Sequence, residues 1–598
     1  MRRSLLFFLV VLTFISFSAS AQITELGPLY PTASGAKATT ERAEISDLHL
    51  SSAKLTASET HDLGPLSSVE RQRLTTKDEA RSERALKVGI ERAFPRRPGF
   101  EAPEWSNGAR ARAIGGGLLE TAGEIMFWTT AVRSPGANGI RLQIEGALPA
   151  GARAYIYAAT GEVHGPYTSA HLDNGALWSN TVYADTAYLE VQILDKVAAS
   201  GTRLSISSIA HIETPSFAGQ IRADGTDCLV DASCVPQTEF SGVGTAGNAM
   251  AQLIFMRDGG AFVCSGGLLN NTRSDGAPYF LTANHCFSTQ AAASSLEATW
   301  NYKTINCADP NDRPNRSLFP RSLGSTLLAT GTSTDFTLVR LNQPPPGTAV
   351  YLGWNANIDI AGSAGTKLFR VHHPQGVTQY YARHSVDTTY DGCASDRPRG
   401  QYIFSRDEVS GTSGGSSGSP VMLENLQVVG QLFGACGPQP DDACDGSNRT
   451  VDGAFRSTFP SIQQFLAPST TGPCVANSTT ACMLGGRFQV TLRYRGTFDN
   501  GVANQNALVK PVTGFADPNF ETSFFFFNSP NNIEMLVKLL DQGNTDSAGR
   551  PTIAVLFGSA TPLRIELQIT DTQTGSTKNY LSEFGQSRGG ADFTAFVK

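Results

Sequence analysis

Ser417 stands in Gly415-Ser416-Ser417-Gly418-Ser419-Pro420, a run of small residues closed by a proline. A serine hydroxyl is a poor nucleophile at neutral pH. A catalytic role therefore requires a histidine base, a carboxylate behind it, and backbone N–H groups to hold an oxyanion. Glycines beside the serine let the backbone aim N–H groups at one point, and Pro420 fixes the exit. Gly/Ser clusters are also ordinary flexible loops, so the serine needs partners elsewhere. Phe280-Leu281-Thr282-Ala283-Asn284-His285-Cys286 reads as an apolar strand ending in a histidine, and Thr334-Asp335-Phe336-Thr337-Leu338-Val339-Arg340-Leu341 as an aspartate leading into an alternating strand. His285, Asp335 and Ser417 are the candidate catalytic residues.

Their order, His then Asp then Ser, and the room between them fit two small β-barrels with the three side chains meeting at the seam, the chymotrypsin-like arrangement among convergent triads. Gly411-Thr412-Ser413-Gly414-Gly415 also matches the nucleophile elbow of α/β-hydrolases, but there the histidine follows the serine. The last histidine of this chain is His384, upstream of Ser413. No HExxH or CxxC pattern occurs, and only His285 sits beside a cysteine, so neither a metal nor an organic cofactor is expected.

The elements that must position these residues belong to a long chain. With 598 residues, three or four domains are expected. The net charge of −6 gives no basic footprint for nucleic acid. Glycine is abundant, at 59 residues, and long amphipathic helical patterns are scarce, so the chain reads as mainly β. Arg2 and Arg3, the apolar run Leu5 to Phe17, and Ala19-Ser20-Ala21 form a secretory signal, 1–21, with cleavage before Gln22. No later stretch is long and apolar enough to span a membrane. Ten cysteines in an exported chain read as disulfides.

Taken in order, 22–85 is polar and reads as a mobile segment, with a surface helix within Ser67 to Arg84. From 86 to 214 short alternating strands recur: Ile140, Leu142 and Ile144 share a face, as do Leu189, Val191 and Ile193, and Leu204 and Ile206 close the set. This is a cysteine-free, sandwich-like β domain in which His164, His171 and His211 are scattered polar residues. A linker, 215–227, precedes the segment 228–468 that holds the triad. After a second linker, Phe488, Val490, Leu492 and Tyr494 alternate, and so do Leu563, Ile565, Leu567 and Ile569, marking 469–598 as a small β-sandwich. Four consecutive aromatics, Phe524 to Phe527, cannot all face one core in a strand of period two. They are read as filling between two sheets.

The third segment resembles the secreted bacterial lysyl endopeptidases, a branch of the chymotrypsin-like serine proteases. The matching pieces are Cys228-Leu-Val-Asp-Ala-Ser-Cys234, Cys264-Ser265-Gly266-Gly267-Leu268, Leu281 to Cys286, Trp300-Asn301-Tyr302, Asp335 to Leu338, His372-His373-Pro374, the Ser417 loop and Gly430-Gln431-Leu432. The resemblance implies His285 as general base, Asp335 as its orienting partner and Ser417 as nucleophile, with the N–H groups of Gly415 and Ser417 as oxyanion hole. It also implies the bridges Cys228–Cys436, Cys234–Cys307 and Cys264–Cys286, which leaves Cys393–Cys444 and Cys474–Cys482 by elimination. The flanking β domains are similar to modules found beside such proteases, a pro-region before and an accessory domain after.

Departures from the family bear on specificity. Gly411 stands six positions before the nucleophile, where trypsins hold an acid. The family's lysine-binding aspartate lies near an Asn-Arg-Ser-Asp run, whereas this chain has Asn448-Arg449-Thr450-Val451-Asp452-Gly453. Either Asp452 serves, implying Lys or Arg at P1, or Val451 takes the position and the pocket is not acidic. Phe433 replaces a family histidine, and Asp441, Asp442 and Asp445 read as a solvated loop. The expected product is a monomeric, exported serine endopeptidase acting on proteins or peptides, with its own pro-region as intramolecular inhibitor or chaperone. The alternative is a secreted adhesive or matrix-binding protein whose protease-like domain is inactive.

Overall fold

The computed structural model describes residues 24–30, 43–50, 54–75, 85–101, 111–213, 228–272, 275–307, 315–467, 474–497, 503, 505–510, 520–546, 550–573 and 576–597. The signal segment with its cleavage site and the linker 215–227 lie outside the described residues. The chain divides into two compact units, one covering Thr24–Ala467 and the other covering the chain from Pro468. No helix among the described residues is long and apolar enough to cross a membrane.

The catalytic candidates lie in the first unit, between two closed six-stranded barrels. In the first barrel Gly260–Leu269 pairs with Met250–Arg257, which pairs with Glu297–Trp300. The circuit continues through Arg321–Leu323, which bends at Gly324 and runs on as Ser325–Gly331 to make one strand, to Phe336–Leu341, then through Tyr279–Ala283 back to Gly260–Leu269. In the second, Lys367–His372 pairs with Tyr380–Val386, then Tyr402–Val409, Arg449–Ala454, Gln427–Cys436 and Pro420–Met422, which returns to Phe369. Each circuit returns to its first strand, which leaves the functional loops at the strand ends; only Gly267–Leu269 of Gly260–Leu269 takes part in the closing pairs, so the second edge of Gly260–Val263 is left for another strand.

The region before the linker forms a two-sheet sandwich. One sheet has Thr186–Ile193 at its centre, flanked by Ile125–Arg133 and Ala152–Tyr157. The other contains Gly139–Ala147 and Arg203–Ile212. Ile140, Leu142, Ile144, Leu189, Val191, Ile193, Leu204 and Ile206 all lie in the core between them, on the faces that the alternation predicts.

This second sheet does not stop at the sandwich. Leu86–Ala93 pairs with Arg203–Ile212 on one side and with the barrel strand Gly260–Leu269 on the other, making one continuous sheet. The outer face of the barrel is thereby covered, and Val88, Ala210 and Ile212 pack against Ile254, Met256, Ala261 and Val263. Met250–Met256 is buried on both faces, which is why its sequence is a continuous apolar run with only Gln252 interrupting it.

Polar bonds cross the same boundary. Arg141, fully buried, donates to Ser179 O and Ser295 O at 2.8 and 2.7 Å. Glu297 accepts from Asn180 Nδ2 at 2.9 Å and from Thr181 Oγ1 at 2.6 Å, and Arg321 bridges Glu162 and Glu297 at 3.0 and 3.2 Å. His164 and His211 sit within such networks, on Glu162 and Ser134 respectively.

The stretch 22–85 needs correcting. Where described, it is woven into the fold: Glu25–Leu26 pairs with Asn355 and Trp354, and Thr60–Asp62 pairs in parallel with Ala131–Arg133. Its sequence is polar because these are short edge strands with little apolar surface to bury. The expected surface helix is present as Ser68–Thr75, with residues 76–84 outside the described ones.

The second unit is a sandwich of two five-stranded sheets. Phe488, Val490, Leu492, Tyr494, Ile565, Leu567 and Ile569 share its core with Phe525 and Phe527, and Phe527 stacks on Tyr494 at 3.7 Å. Alternate residues of the aromatic run thus do fill the space between the sheets.

Candidate active site

His285 follows the strand Tyr279–Ala283, and Asp335 immediately precedes Phe336–Leu341, the strand paired with it. Pairing of these neighbours forces the two side chains together. Asp335 Oδ2 lies 2.6 Å from His285 Nδ1, and Oδ1 accepts the backbone N–H of His285 at 2.8 Å. Both residues are 2% exposed. With its Nδ1 proton directed to the carboxylate, the imidazole presents Nε2 as the basic nitrogen. His285 Nε2 is buried and has no hydrogen-bond partner among the described residues. The loop carrying Asp335 is fixed in turn: Asn284 N–H donates to Asp335 O at 3.0 Å, and Gln431 Nε2 to Thr334 O at 2.6 Å.

Ser417 enters the same seam from the second barrel, just before Pro420–Met422. Ser265, next to Cys264, anchors its loop twice, with N–H to Ser417 O at 2.9 Å and Oγ to Gly415 O at 2.9 Å. Cys286, adjacent to His285, brings its Sγ within 3.8 Å of Ser417 O. Gly415 and Gly418 have φ of +89° and +79°, a region that penalises any side chain. A β-carbon on Gly415 would also lie 2.8 Å from Gly376 N. Among the described residues, neither the Gly415 N–H nor the Ser417 N–H has an acceptor, so both remain available to a ligand oxygen.

Sequence reasoning missed several supports of this loop. Ser416, fully buried, shares a 2.7 Å hydrogen bond with His372 Nδ1 and accepts the Ser413 N–H at 3.1 Å. Burial, reinforced by the charge of Arg370 and by His384 and His373, drives His372 well below the usual imidazole range, so it is neutral. Arg257 donates to the carbonyls of His285 and Cys286. Its position at a strand end carried no local signal. His373 stacks on Tyr302 at 6.2 Å and is pushed down to about 4, mainly by burial.

Asp452 is the most informative residue for specificity. It is fully buried, and its Oδ1 lies 2.5 Å from Nη2 of Arg370, itself fully buried. Arg370 Nη1 also donates to Ser419 O and Oγ at 2.8 and 2.9 Å, and its Nε approaches His384 Nε2 at 3.4 Å. His384 in turn meets Asp407 at 2.7 Å. Val451, on the opposite face of the strand, belongs to an apolar cluster with Tyr402, Phe404, Phe433 and Cys436. Phe433 sets its ring edge-on to His285 at 6.0 Å, and Arg397 lies over the Phe433 ring at 4.3 Å. Asp441 and Asp442 are exposed and Asp445 is half-buried, as a solvated loop requires.

All ten cysteines are bridged. Cys234–Cys307 and Cys264–Cys286 are pairs that the resemblance implies, and Cys474–Cys482 is a pair that was left only by elimination. The other two pairs are exchanged: Cys228 joins Cys444, and Cys393 joins Cys436, in place of Cys228–Cys436 and Cys393–Cys444. Cys436 ends a barrel strand in the cluster that Tyr390 and Cys393 adjoin, whereas Cys444 lies in the exposed loop beyond it. Cys264, His285 and Cys286 are close enough to suggest a metal group, but the two sulfurs are bonded to each other and hold no lone thiolate.

Two closed barrels, an Asp–His pair at their seam and a glycine-flanked serine loop delivered beside it define a serine protease of the double β-barrel class. Residues 223–447 match the family model of the lysyl endopeptidase C-terminal domain, a span that takes in the first barrel and all of the second except the strand Arg449–Ala454. A lysyl endopeptidase of Pseudomonas aeruginosa is 28% identical over 366 residues, which is 56% of this chain and 74% of that protein. Secreted RxLR effector protein 73 of Plasmopara viticola is 28% identical over 245 residues, 40% of this chain and 56% of that one. Among solved structures, the active form of the Rv3671c protease from M. tuberculosis has 15% identity and a TM-score of 0.27, covering 40% of this chain and 91% of its own. The MamO protease domain from Magnetospirillum magneticum has 14% identity and a TM-score of 0.25, covering 36% and 96%.

Proposed function

We propose that the chain is an exported endopeptidase precursor that hydrolyses peptide bonds through an acyl-enzyme. Ser417 Oγ attacks the carbonyl carbon while His285 Nε2 takes its proton. The oxyanion is received by the Gly415 and Ser417 N–H groups, and His285 returns the proton to the leaving amine. Water then repeats the sequence on the acyl-enzyme. Asp335 holds the tautomer that leaves Nε2 basic. The observation that carries this reading is the 2.6 Å Asp335–His285 contact, whose Nε2 is left unpartnered beside the anchored Ser417 loop.

The five disulfides support export to an oxidising compartment. Segment 86–214 is the pro-region, acting as intramolecular inhibitor or chaperone, and 215–227 contains the processing site. Segment 228–468 is the protease and 469–598 the accessory domain. Of the proposed preference for Lys or Arg at P1, the name of the Pseudomonas relative supports Lys alone. Asp452 does not support it, because Arg370 already neutralises the charge that would select a cation.

The test is labelling by a fluorophosphonate probe, which should modify the processed wild type and spare Ser417→Ala. kcat should fall by about 10⁴ to 10⁶ in Ser417→Ala and in His285→Ala, and EDTA should leave it unchanged. Absence of label in the wild type would favour the secreted adhesive reading instead.

A further inference from the structure

The strand Leu86–Ala93 is placed for more than structural cover. Leu86 lies opposite Val263, Lys87 opposite Phe262 and Ile90 opposite Gly260. Directly after Val263 come Cys264, bonded to the neighbour of His285, and Ser265, which holds both carbonyls of the nucleophile loop. Ala85 is buried in the apolar cluster that contains Cys264, Cys286 and Phe262. A β-carbon on Gly414 would lie 3.7 Å from Leu86 Cδ1. Val88 lines a small cavity with Gln375 and Gly376, and Gln375 N–H donates to Gly414 O at 2.5 Å.

An extended chain held by main-chain bonds to an edge strand is the general way a sheet recognises a peptide. During peptide hydrolysis His285 must pass its proton to the leaving amine, so the residues beyond the scissile bond have to leave the seam alongside the Cys264–Cys286 bridge. We propose that Ala85–Ala93 occupies this leaving-group side of the substrate groove. It is a strand in the pose of a cleaved product, and it excludes polypeptide substrates until it is withdrawn. This rests on the protease reading above and adds the mode of inhibition and the residues that provide it. Ala85 and Leu86 are the inhibitory contacts, since pairing with Arg203–Ile212 begins only at Gly89 and anchors the remainder of the strand.

The experiment uses the intact full chain and its naturally processed form, with two readouts: fluorophosphonate labelling and cleavage of an internally quenched peptide that extends on both sides of the scissile bond. Leu86→Pro removes one ladder N–H at the first residue of the strand, where proline is tolerated. Ala85→Asp places a charge in the apolar cluster. Each should raise cleavage of the extended peptide by the intact chain at least about fivefold, the effect of one lost hydrogen bond. Lys87→Gln, whose Nζ is held by Arg73 O, should not. Hydrogen exchange should show the Val263 amide protected in the wild type and exposed in the two variants, with the Leu253 amide unchanged as a control for folding. Equal cleavage by intact and processed wild type would overturn the proposal. So would variants that expose Val263 without gaining activity. A processed form that takes up no label would instead refute the protease reading itself.

Discussion

Replacing Asp452 by Asn separates the two roles a buried acid can play beside a protease pocket. In the structure Asp452 and Arg370 are both fully buried and 2.5 Å apart. Removing one partner of such a pair leaves the other charge buried without compensation, at a cost of about 3–5 kcal/mol. For a domain of the protease's size, about 2–4 °C per kcal/mol gives a fall in Tm of about 6–20 °C. Replacing both partners by apolar residues, as in Arg370→Met with Asp452→Leu, should recover much of that loss, because the desolvation penalty disappears with the charges. The stability assay is thermal unfolding of the processed enzyme after fluorophosphonate inactivation, which prevents autolysis. The specificity assay is a panel of peptides differing only at P1. The expected outcome is a destabilised Asp452→Asn enzyme with an unchanged P1 profile. Loss of cleavage after Lys and Arg alone, with Tm within a degree or so of wild type, would refute the reasoning. Asp452 Oδ2, which has no partner among the described residues, would then be the atom that meets the substrate cation.

Peptide mapping without reduction should recover Cys228–Cys444 and Cys393–Cys436, and recovery of Cys228–Cys436 would reverse the pairing described above. Replacing Cys264 and Cys286 by serine opens a loop with a sequence separation of 22; the chain-entropy estimate is about 3 kcal/mol lost, read by denaturant unfolding. Burial alone would raise the pKa of Glu297, but the Arg321 and Arg141 guanidiniums and the Thr181 hydroxyl bring it down to about 2 from an ordinary 4.5. Because the folded value is the lower one, this contribution is full above about pH 4.5 and is lost as pH falls through about 2. Glu297→Gln should flatten the pH dependence of intact-chain stability in that window, and an unchanged profile would show the pair to be irrelevant. Two or three residues added before the mature N-terminus should leave kcat unaltered, whereas its collapse with KM preserved would reveal an insertion mechanism acting through another acid.

Much of this was legible from local pattern. Alternation placed Ile140, Leu142 and Ile144 and the C-terminal pair Leu492 and Leu567 on their core faces, because period-two burial is a local property of a strand. His285 and Asp335 were legible because each stands at the end of a recognisable strand, and pairing of those strands suffices to join the side chains. The role of Asp452 was not. One strand face decides between pocket and barrel interior, and the deciding partner, Arg370, is 82 residues away. Arg370 itself sits in the strand Lys367–His372, between Phe369 and Val371, where nothing local marks it as the partner of Asp452. The continuity of the two sheets was also hidden, although Met250–Met256 carried a trace of it. An apolar run without alternation means cover on both faces, and the second cover came from Val88, Ala210 and Ile212.

These features bear on how latency could be arranged. Enzymes of this fold that activate by N-terminal insertion need an acid immediately before the nucleophile to receive the new ammonium. Here the position is Ser416, uncharged and already fixed by His372 and the Ser413 N–H. A neutral His372 makes that contact indifferent to a new charge, and Ser265 holds the Gly415 and Ser417 carbonyls from the other barrel. With the two N–H groups thus oriented by contacts internal to 228–467, disordering the proposed oxyanion hole would require breaking several buried hydrogen bonds. Occupying the groove requires none. A strand already paired with the barrel edge and anchored in its own sandwich by Arg203–Ile212 can block substrate while leaving the catalytic groups intact. Under the proposal above, the edge of Gly260–Val263 would serve in turn the pro-region and the substrate, so that release of the one and access of the other would be the same event.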